Sequence, residues 1–317
     1  MKNDFVCLGN LIGREIKLFL KDKASVFFSI LAPIIILLLY FLFLGDMQVS
    51  SVEATLKGTQ VSREIIKSFI DGWMLAGVVS VACITVSFSA YNVVLSDKEC
   101  GALDDLYSSP VKRWVINLSY YIYNFTVTMI ICFMLLVIVF IYVAITGWYL
   151  SASQAFGIIG MVILSVVSST LVTTAICGFV KTVNAHSALV GILSAVSGFL
   201  IGAYMPIGVY PQAVQYIVLF IPGTYSAGVF RNLFMNGALN EIGKIAPYHK
   251  EALQDAYSIN LDFFGDKIGT DIMVYALIAM IAIFAVLNVA LAFVLPKLKY
   301  LSAIKKPKNK KTKDLYE

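Results

Sequence analysis

Charged residues are scarce in this chain of 317 residues: Asp, Glu, Lys and Arg make up 14% of it, and hydrophobic residues 59%. A soluble globular domain carries roughly 25% charged residues, so a water-soluble core could not hold this much apolar side chain. The mean hydropathy of +0.84 favours an integral membrane protein instead. We therefore interpret the net charge of +5 as a determinant of membrane topology, not of binding to nucleic acid.

The sequence also lacks the motifs of common catalytic and metal sites. It contains no G-x-x-x-x-G-K-[ST] phosphate-binding loop, no H-E-x-x-H zinc motif and no G-x-S-x-G nucleophile motif. The two histidines lie far apart, and none of the five cysteines forms a C-x-x-C pair. We expect no ATP site, no metal site and no disulfide in this chain, and interpret the cysteines as small apolar residues.

Long, almost uncharged segments predict an all-α integral membrane protein with six transmembrane helices. These spans are expected at about residues 24–44, 72–95, 117–145, 154–180, 187–205 and 272–295. No ionisable side chain is expected well inside any span, which argues against a proton- or ion-coupled carrier. The first apolar run lacks a clear small-residue cleavage site, so we expect an anchor and not a signal peptide.

The distribution of lysine and arginine predicts the topology. With six crossings, 17 of the 24 basic residues fall on the side of the two termini, and the acidic residues divide about evenly. Basic flanks stay in the cytoplasm, so both termini are expected inside, together with the basic tail 296–317. A proline-bounded piece near 214–221 is too short to cross, so 206–225 is predicted to be re-entrant and 226–271 an extracellular polar cap.

Residues 1–23 precede the first span and contain an amphipathic helix. Its apolar face has steps of three and four residues and comprises Phe5, Leu8, Ile12, Ile16 and Phe19. Its polar face carries Arg14, Lys17 and Lys21. A basic amphipathic helix at this place is expected to lie in the plane of the lipid headgroups. The alternative is a helix that packs on protein.

A charged segment, Asp97–Trp114, interrupts the apolar runs between the second and third spans. Leu103, Leu106 and Tyr107 fall at steps of three and four, and Pro110 ends the pattern. The segment predicts a short cytoplasmic helix over residues 98–110, and its apolar edge favours a docking surface for a partner. The alternative is a solvated loop.

Small and polar residues inside the predicted spans leave two questions open. A stripe of small residues runs along the fifth span and comprises Gly191, Ser194, Gly198 and Gly202. Such a stripe lets helices approach closely, either within one subunit or at a seam between subunits. Uncharged polar side chains, among them Asn92, Asn124 and Thr173, either hydrogen-bond between helices or line a translocation pathway.

Two separated motifs resemble ABC-2 type permeases. The run from Lys98 to Leu106, followed by Ser109-Pro110-Val111, resembles the K/E-x-G-T-L-x-x-L…S-P-V coupling-helix segment of that family, with Ala102 where threonine is common. The later residues that resemble the family signature are Ser197-Gly198, Met205-Pro206, Pro211, Ile221-Pro222, Tyr225 and Arg231. The resemblance covers nearly the whole chain.

The resemblance implies a half-transporter. Two permease subunits, identical or paralogous, would form the pathway in the lipid bilayer, and two separate ABC ATPase subunits would bind ATP and Mg²⁺. The coupling residues implied are Glu99, Gly101, Leu103, Leu106, Tyr107 and Pro110, with Arg14, Lys17 and Lys21 on a connecting helix. The outer gate implied comprises Pro206, Pro211, Pro222 and Tyr225.

The function expected from these features is export of a drug, antimicrobial peptide or lipid-like compound across a bacterial plasma membrane. Alternating access would be driven by the ATPase partner, and this chain itself would not be an enzyme. The alternative is a non-transporting scaffold or sensor subunit with the same helical bundle.

Overall fold

The computed structural model describes the backbone of residues 2–263 and 266–305. Most of these residues are helical, so backbone groups are satisfied within each segment, as a bilayer requires. The helices are α1 (Lys2–Lys21), α2 (Lys23–Leu39), α3 (Gly45–Thr55), α4 (Arg63–Ala90), α5 (Asn92–Glu99), α6 (Ala102–Ser108), α7 (Arg113–Thr146), α8 (Ala152–Cys177), α9 (Val183–Leu200), α10 (Gln212–Val218), α11 (Pro222–Ile245), α12 (Pro247–Ala256) and α13 (Thr270–Lys305). A two-stranded antiparallel hairpin, β1 (Leu261–Phe263) and β2 (Asp266–Ile268), precedes α13.

Six helical segments among the described residues are long and apolar enough to cross a membrane, which confirms the predicted fold class. They are Lys23–Thr55, Arg63–Glu99, Arg113–Thr146, Ala152–Cys177, Val183–Leu200 and Thr270–Ala292. A further pair, α10 and α11, satisfies the same criteria jointly but is bent by 96° at residues 219–221. That geometry is typical of a re-entrant loop or a broken span.

Helix α4 is the most deeply buried span and lies at the centre of the bundle. It packs against α2, α3, α7, α8, α9 and α11. Glycines allow two of these approaches: a Cβ on Gly72 would lie 2.9 Å from the carbonyl oxygen of Phe234, and one on Gly77 would lie 2.8 Å from the Cβ of Ala203. Such close contacts stabilise helix pairs in lipid, where apolar area alone gives little advantage.

The first span continues beyond its predicted end at residue 44. A π-helical turn, Tyr40–Leu44, leads directly into α3, so the helix reaches Thr55 where a polar outer segment was expected. Val49, Val52 and Leu56 are buried in the main core, and α3 packs on α4. Their spacing of three and four residues defines a helical face that the surrounding polar residues obscure.

The prediction of an extracellular polar cap over 226–271 is wrong for its first twenty residues. Residues 226–245 belong to α11, which packs along α4, α8 and α13. Its buried face includes Phe230, Phe234, Leu239 and Ile242. Asparagines and glycines separate these residues in sequence, so the segment looks polar although one side of the helix is core. Helix α12 and the β-hairpin form most of the remaining part of the predicted cap.

The last helix also differs from its predicted bounds. Helix α13 runs through Lys305, ten residues past the predicted span end at 295. The predicted basic tail 296–317 therefore begins within a helix. From residue 306 the tail lies outside the described residues.

Candidate functional site

Two short helices form the segment between the second and third spans. Helix α5 ends at Glu99, and α6 begins after Gly101, whose φ of +84° lies in the left-handed region that glycine adopts without strain. The turn at Gly101 interrupts the helix predicted over 98–110, so α6 has only seven residues and ends two residues before Pro110. The predicted short helix exists, but its bounds are narrower.

The apolar edge of α6 faces the bundle. Leu103, Leu106 and Tyr107 are half-buried and pack against a cluster at the ends of α5, α7 and α8. Asp104 and Asp105 are exposed. These side chains hold α6 on its own spans and leave only part of the apolar edge accessible, so docking of a partner on that edge stays a prediction. The face available for docking is acidic.

Tyr107 fixes α6 to the start of α7. Its hydroxyl donates to Asn117 Oδ1 at 2.7 Å, and the Arg113 guanidinium lies 5.7 Å from its ring centroid. Burial raises the pKa of Tyr107, so the phenol remains a protonated donor. The short helix therefore cannot swing freely.

An ion pair ties α1 to the base of this segment. Arg14 donates from both terminal nitrogens to Asp97, at 2.7 and 2.8 Å, and the Tyr120 hydroxyl donates to the same carboxylate at 2.7 Å. The hydrogen bond to Asp97 raises the pKa of Arg14. Asp97 lies two residues before the end of α5, so α1 and the α5–α6 segment are joined by a bidentate contact.

Glu15 is a buried carboxyl that the sequence analysis did not single out. It is 0% exposed, between α1 and α7, and Ser119 donates to its Oε1 at 2.8 Å. Burial is the main cause that raises its pKa to about 8, although the hydrogen bond from Ser119 and the charge of Arg14 lower the pKa. Its position in the sequence could have indicated this burial, because Glu15 lies four residues from both Leu11 and Phe19 and so on the apolar side of the helix.

The apolar face of α1 packs largely on protein. Leu8 and Phe19 are buried, and α1 lies along α7. The prediction that this face lies in the headgroup plane is therefore wrong for these two residues, and the alternative of packing on protein holds. Phe5, by contrast, is 64% exposed, and Lys17 and Lys21 are also exposed. The apolar side chains of Val6, Leu18 and Leu20 are exposed as well.

The end of α5 also contacts the turn that leads into α9. Lys98 Nζ donates to the carbonyl oxygen of Val180, and Glu99 Oε2 accepts from the N–H of Val183 at 2.8 Å. Val183 is the first residue of α9. Glu99 is thus attached within the chain, so any displacement of α5 acts on the fifth span.

The other end of α9 leads into the predicted gate. Gly202 adopts a φ of +73° and ends the helix region, and Pro206 is buried in the turn that follows. Pro211 is exposed and caps α10, whereas Pro222 is buried at the first position of α11. Tyr225, one helical turn into α11, is 3% exposed. The four predicted gate residues therefore bracket α10 at one end of the bundle.

Arg231 anchors this turn from α11. Its side chain is 0% exposed, and it donates to the carbonyl oxygens of Ile201, Gly202 and Ser258. The carbonyls at the C-terminal end of α9, which lack partners within the helix, are thereby satisfied by a cation. The sequence motif contained Arg231, but its role in closing α9 required the structure.

The comparison with protein families decides the identity of this arrangement. The family model described as ABC-2 type transporter matches residues 8–235. The chain belongs to the ABC-2 type transporter family. No curated protein matches the sequence. The protein is therefore the membrane-spanning permease subunit of an ABC transporter, and members of this family normally work with separate ABC ATPases.

The polar residues in the middle of the permease form a closed network. Ser87 Oγ lies 3.1 Å from Asn124 Oδ1 and 3.0 Å from Thr173 Oγ1, and Asn124 Nδ2 donates to the Ser87 carbonyl at 2.9 Å. Asn124 and Thr173 are 0% exposed, so in this conformation they join α4, α7 and α8 and do not line an open pathway. Asn92, partly buried, donates to Ser25 Oγ at 3.4 Å.

The small-residue stripe on α9 of the permease divides into two parts. A Cβ on Gly198 would meet the Tyr204 ring at 2.1 Å, and one on Gly202 would meet Arg231 at 2.7 Å, so both glycines are used within the chain. Gly191 has open space around it, and Ser194 is half-buried. Packing within one subunit explains Gly198 and Gly202, whereas Gly191 remains accessible to another helix.

Asp71 is a buried ionisable side chain near the start of the second span, so the prediction that none lies well inside a span stays a prediction. It lies nine residues into the segment Arg63–Glu99 and is 3% exposed. The hydroxyls of Tyr40 and Tyr142 donate to its two oxygens at 2.7 and 3.1 Å. The residue immediately precedes the predicted span start at 72, and the helix begins earlier than the apolar run does. The permease therefore has a buried carboxyl that joins its first three spans.

Proposed function

We propose that this permease is one half of an exporter in which two permease subunits and two ABC ATPases alternate access to a shared pathway. The substrate class proposed is a drug, an antimicrobial peptide or a lipid-like compound. The proposed membrane is a bacterial plasma membrane, and the distribution of basic residues supports a cytoplasmic location for both termini, α1 and α6.

The observation that carries this proposal is a continuous set of contacts from α6 to the gate. Helix α5 leads into α6, Glu99 of α5 contacts the first residue of α9, and Lys98 contacts the turn before it. Arg231 holds the other end of α9. Helix α9 has 18 residues and is about 27 Å long at 1.5 Å per residue. A packed helix of this length transmits displacement because it bends little.

The ATPase is proposed to dock on the exposed acidic face of α6. Asp104 and Asp105 point away from the bundle, and Glu99 and Pro110 are exposed beside them. A basic cleft on the ATPase would complement this face and steer association. Leu103 and Leu106 would then act indirectly, because their packing fixes the orientation of the acidic residues.

Helix α1 is proposed to be a connecting helix that resists, together with α5, the force that the ATPase exerts on α6. Arg14 and Asp97 join the two helices at 2.7 Å. The exposed side chains of Leu18 and Leu20, with Lys17 and Lys21 between them around the helix, would lie at the lipid headgroups. Any inward force on α6 would then be opposed by a helix that is held at the membrane surface.

Transport in proteoliposomes tests the proposal. The permease would be purified with its ABC ATPase from the native membrane and reconstituted, and ATP-dependent movement of labelled drug, peptide and lipid probes would be measured. A matched preparation would carry an ATPase whose phosphate-binding lysine is replaced. We expect movement of at least one probe class with the intact ATPase only. Equal movement in both preparations would refute ATP-driven transport.

A further inference from the structure

A cavity of about 850 Å³ lies at the end of the bundle opposite α6. The loop between α7 and α8 forms one wall, with Trp148 and Tyr149. The second half of α11 and the start of α12 form the other, with Asn240, Lys244 and Lys250. None of these residues belongs to the coupling segment or to the gate, so the contacts described above leave this cavity without a role.

Two glycines of α11 build the walls of the cavity. A Cβ on Gly237 would lie 1.8 Å from the carbonyl oxygen of Tyr149, so only glycine lets the α7–α8 loop lie directly on α11. A Cβ on Gly243 would lie 2.8 Å from Cδ of Lys250, so the lysine stem crosses α11 at that point. The aromatic wall and one ammonium group are therefore held in place by close backbone contacts.

The charged side chains that line the cavity are two lysines, Lys244 and Lys250, and one acid, Glu241, so the lining has a net positive charge. Lys250 Nζ donates to Asn240 Oδ1 at 2.9 Å, and Lys244 Nζ lies 2.6 Å from Glu241 Oε1. An ammonium group has three N–H donors, and each of these contacts uses one. Both lysines can therefore also bind the oxygens of an anion without breaking these contacts. Phosphate oxygens suit such point charges.

Apolar side chains that are close in sequence to the cavity loop are strongly exposed. Trp148 is 49% exposed, and it lies in the five-residue loop between the two spans. Ile145, near the end of α7, is 80% exposed, and Phe156, near the start of α8, is 74% exposed. Tryptophan collects where lipid headgroups meet hydrocarbon, and neighbouring exposed apolar side chains of a span contact acyl chains. Polar and apolar parts of one ligand could thus be accommodated together.

We propose that this cavity binds the phosphate-bearing head group of an anionic phospholipid, whose acyl chains lie along Ile145 and Phe156. Lys244 and Lys250 bind the phosphate, and Trp148 lies at the boundary between head group and chains. A lipid held between the α7–α8 loop and α11 bridges the third and fourth spans to the helix that carries Arg231. The site is independent of the proposed transport function, because binding requires no ATPase.

Quenching of Trp148 by brominated lipid measures occupancy directly. The permease would carry Trp114→Phe, since Trp114 is exposed at the other end of the bundle, whereas Trp73 is 1% exposed in the core. Quenching would be compared in nanodiscs containing phosphatidylglycerol or phosphatidylcholine with brominated chains. The test variant is Lys244→Gln/Lys250→Gln. Lys57→Gln/Lys267→Gln is the matched control, which removes two exposed lysines outside the cavity.

We expect brominated phosphatidylglycerol to quench more strongly than phosphatidylcholine, and the test variant to reduce this preference about fivefold. The control variant should retain the preference for phosphatidylglycerol. The Trp114→Phe permease with no lysine substitution should also retain it in excess inorganic phosphate. An equal preference in test and control variants would overturn the proposal, and competition by inorganic phosphate would overturn the lipid as the source of the phosphate group. Thermal unfolding of each variant, together with Lys250→Gln alone, separates loss of binding from loss of fold.

Discussion

The ion pair between Arg14 and Asp97 gives the sharpest prediction about how α1 is attached. We consider Arg14→Gln, Asp97→Asn and the double variant. Removing one partner of a buried ion pair costs about 3–5 kcal/mol, whereas exposed pairs contribute about 0–1 kcal/mol. The side chains are 37% and 6% exposed. Because Arg14 is more than a third exposed, we expect Arg14→Gln to lower the free energy of unfolding by about 2 kcal/mol.

The double variant isolates the interaction from the other effects of each substitution. If the bidentate contact is formed, its coupling energy should be about 1–2 kcal/mol, so the double variant loses less stability than the sum of the single variants. Asparagine at position 97 still offers an oxygen to the Tyr120 hydroxyl, which donates at 2.7 Å. The cycle therefore reports mainly on the contact with Arg14.

Thermal and chemical unfolding of the four proteins in nanodiscs would measure this cycle. Lys17→Gln is the control, because Lys17 is exposed on the same helix, and its effect should stay within about 0.5 kcal/mol. Additivity within about 0.3 kcal/mol would refute the reasoning, since it would mean that α1 is not held to α5 by this pair.

Three further predictions concern Glu15, Arg231 and Gly101. Burial raises the pKa of Glu15 from 4.5 to about 8. Between these pH values the native state holds a proton that the unfolded state releases, so the free energy of unfolding should fall as pH rises. Unfolding measurements from pH 5 to 9 should show this fall in the unchanged permease and not in Glu15→Gln. Arg231→Lys should lower the free energy of unfolding, measured by thermal unfolding, by about 2–3 kcal/mol, because two separate guanidinium nitrogens reach Ser258 and the Ile201–Gly202 turn, and one compact ammonium cannot lie at both places. Gly101→Ala, at φ +84°, should cost about 1–2 kcal/mol in the same measurement, and an unchanged melting temperature would contradict the observed turn.

The number and order of the spans could be predicted from the sequence because a bilayer imposes a minimum apolar length on each crossing. Which surface of a helix meets lipid and which meets protein could not. Both environments are apolar, so the periodic pattern of Leu8 and Phe19 is the same whether the helix lies in headgroups or on α7. The inward orientation of Leu103 and Leu106 was missed for the same reason.

Buried charges were the other features that the sequence could not reveal. Asp71 and Arg231 lie at the edges of uncharged runs and Glu15 lies in a polar stretch, where charge normally indicates solvent. Each is buried because partners from distant parts of the chain reach it: Tyr40 reaches Asp71 across 31 residues, and Arg231 reaches Ile201 across 30. No local pattern encodes such partners, whereas the packed bundle supplies them.

The most direct test of the account is the ATPase activity of the complex with altered charges on α6. Asp104→Lys/Asp105→Lys reverses the exposed acidic face without touching Leu103 or Leu106. The matched control, Glu251→Lys/Asp266→Lys, reverses two exposed acids in α12 and β2. We predict that only the α6 variant loses permease-dependent ATP hydrolysis and association with the ATPase, while both fold. Equal hydrolysis and association in the two variants would contradict the claim that the ATPase acts through α6.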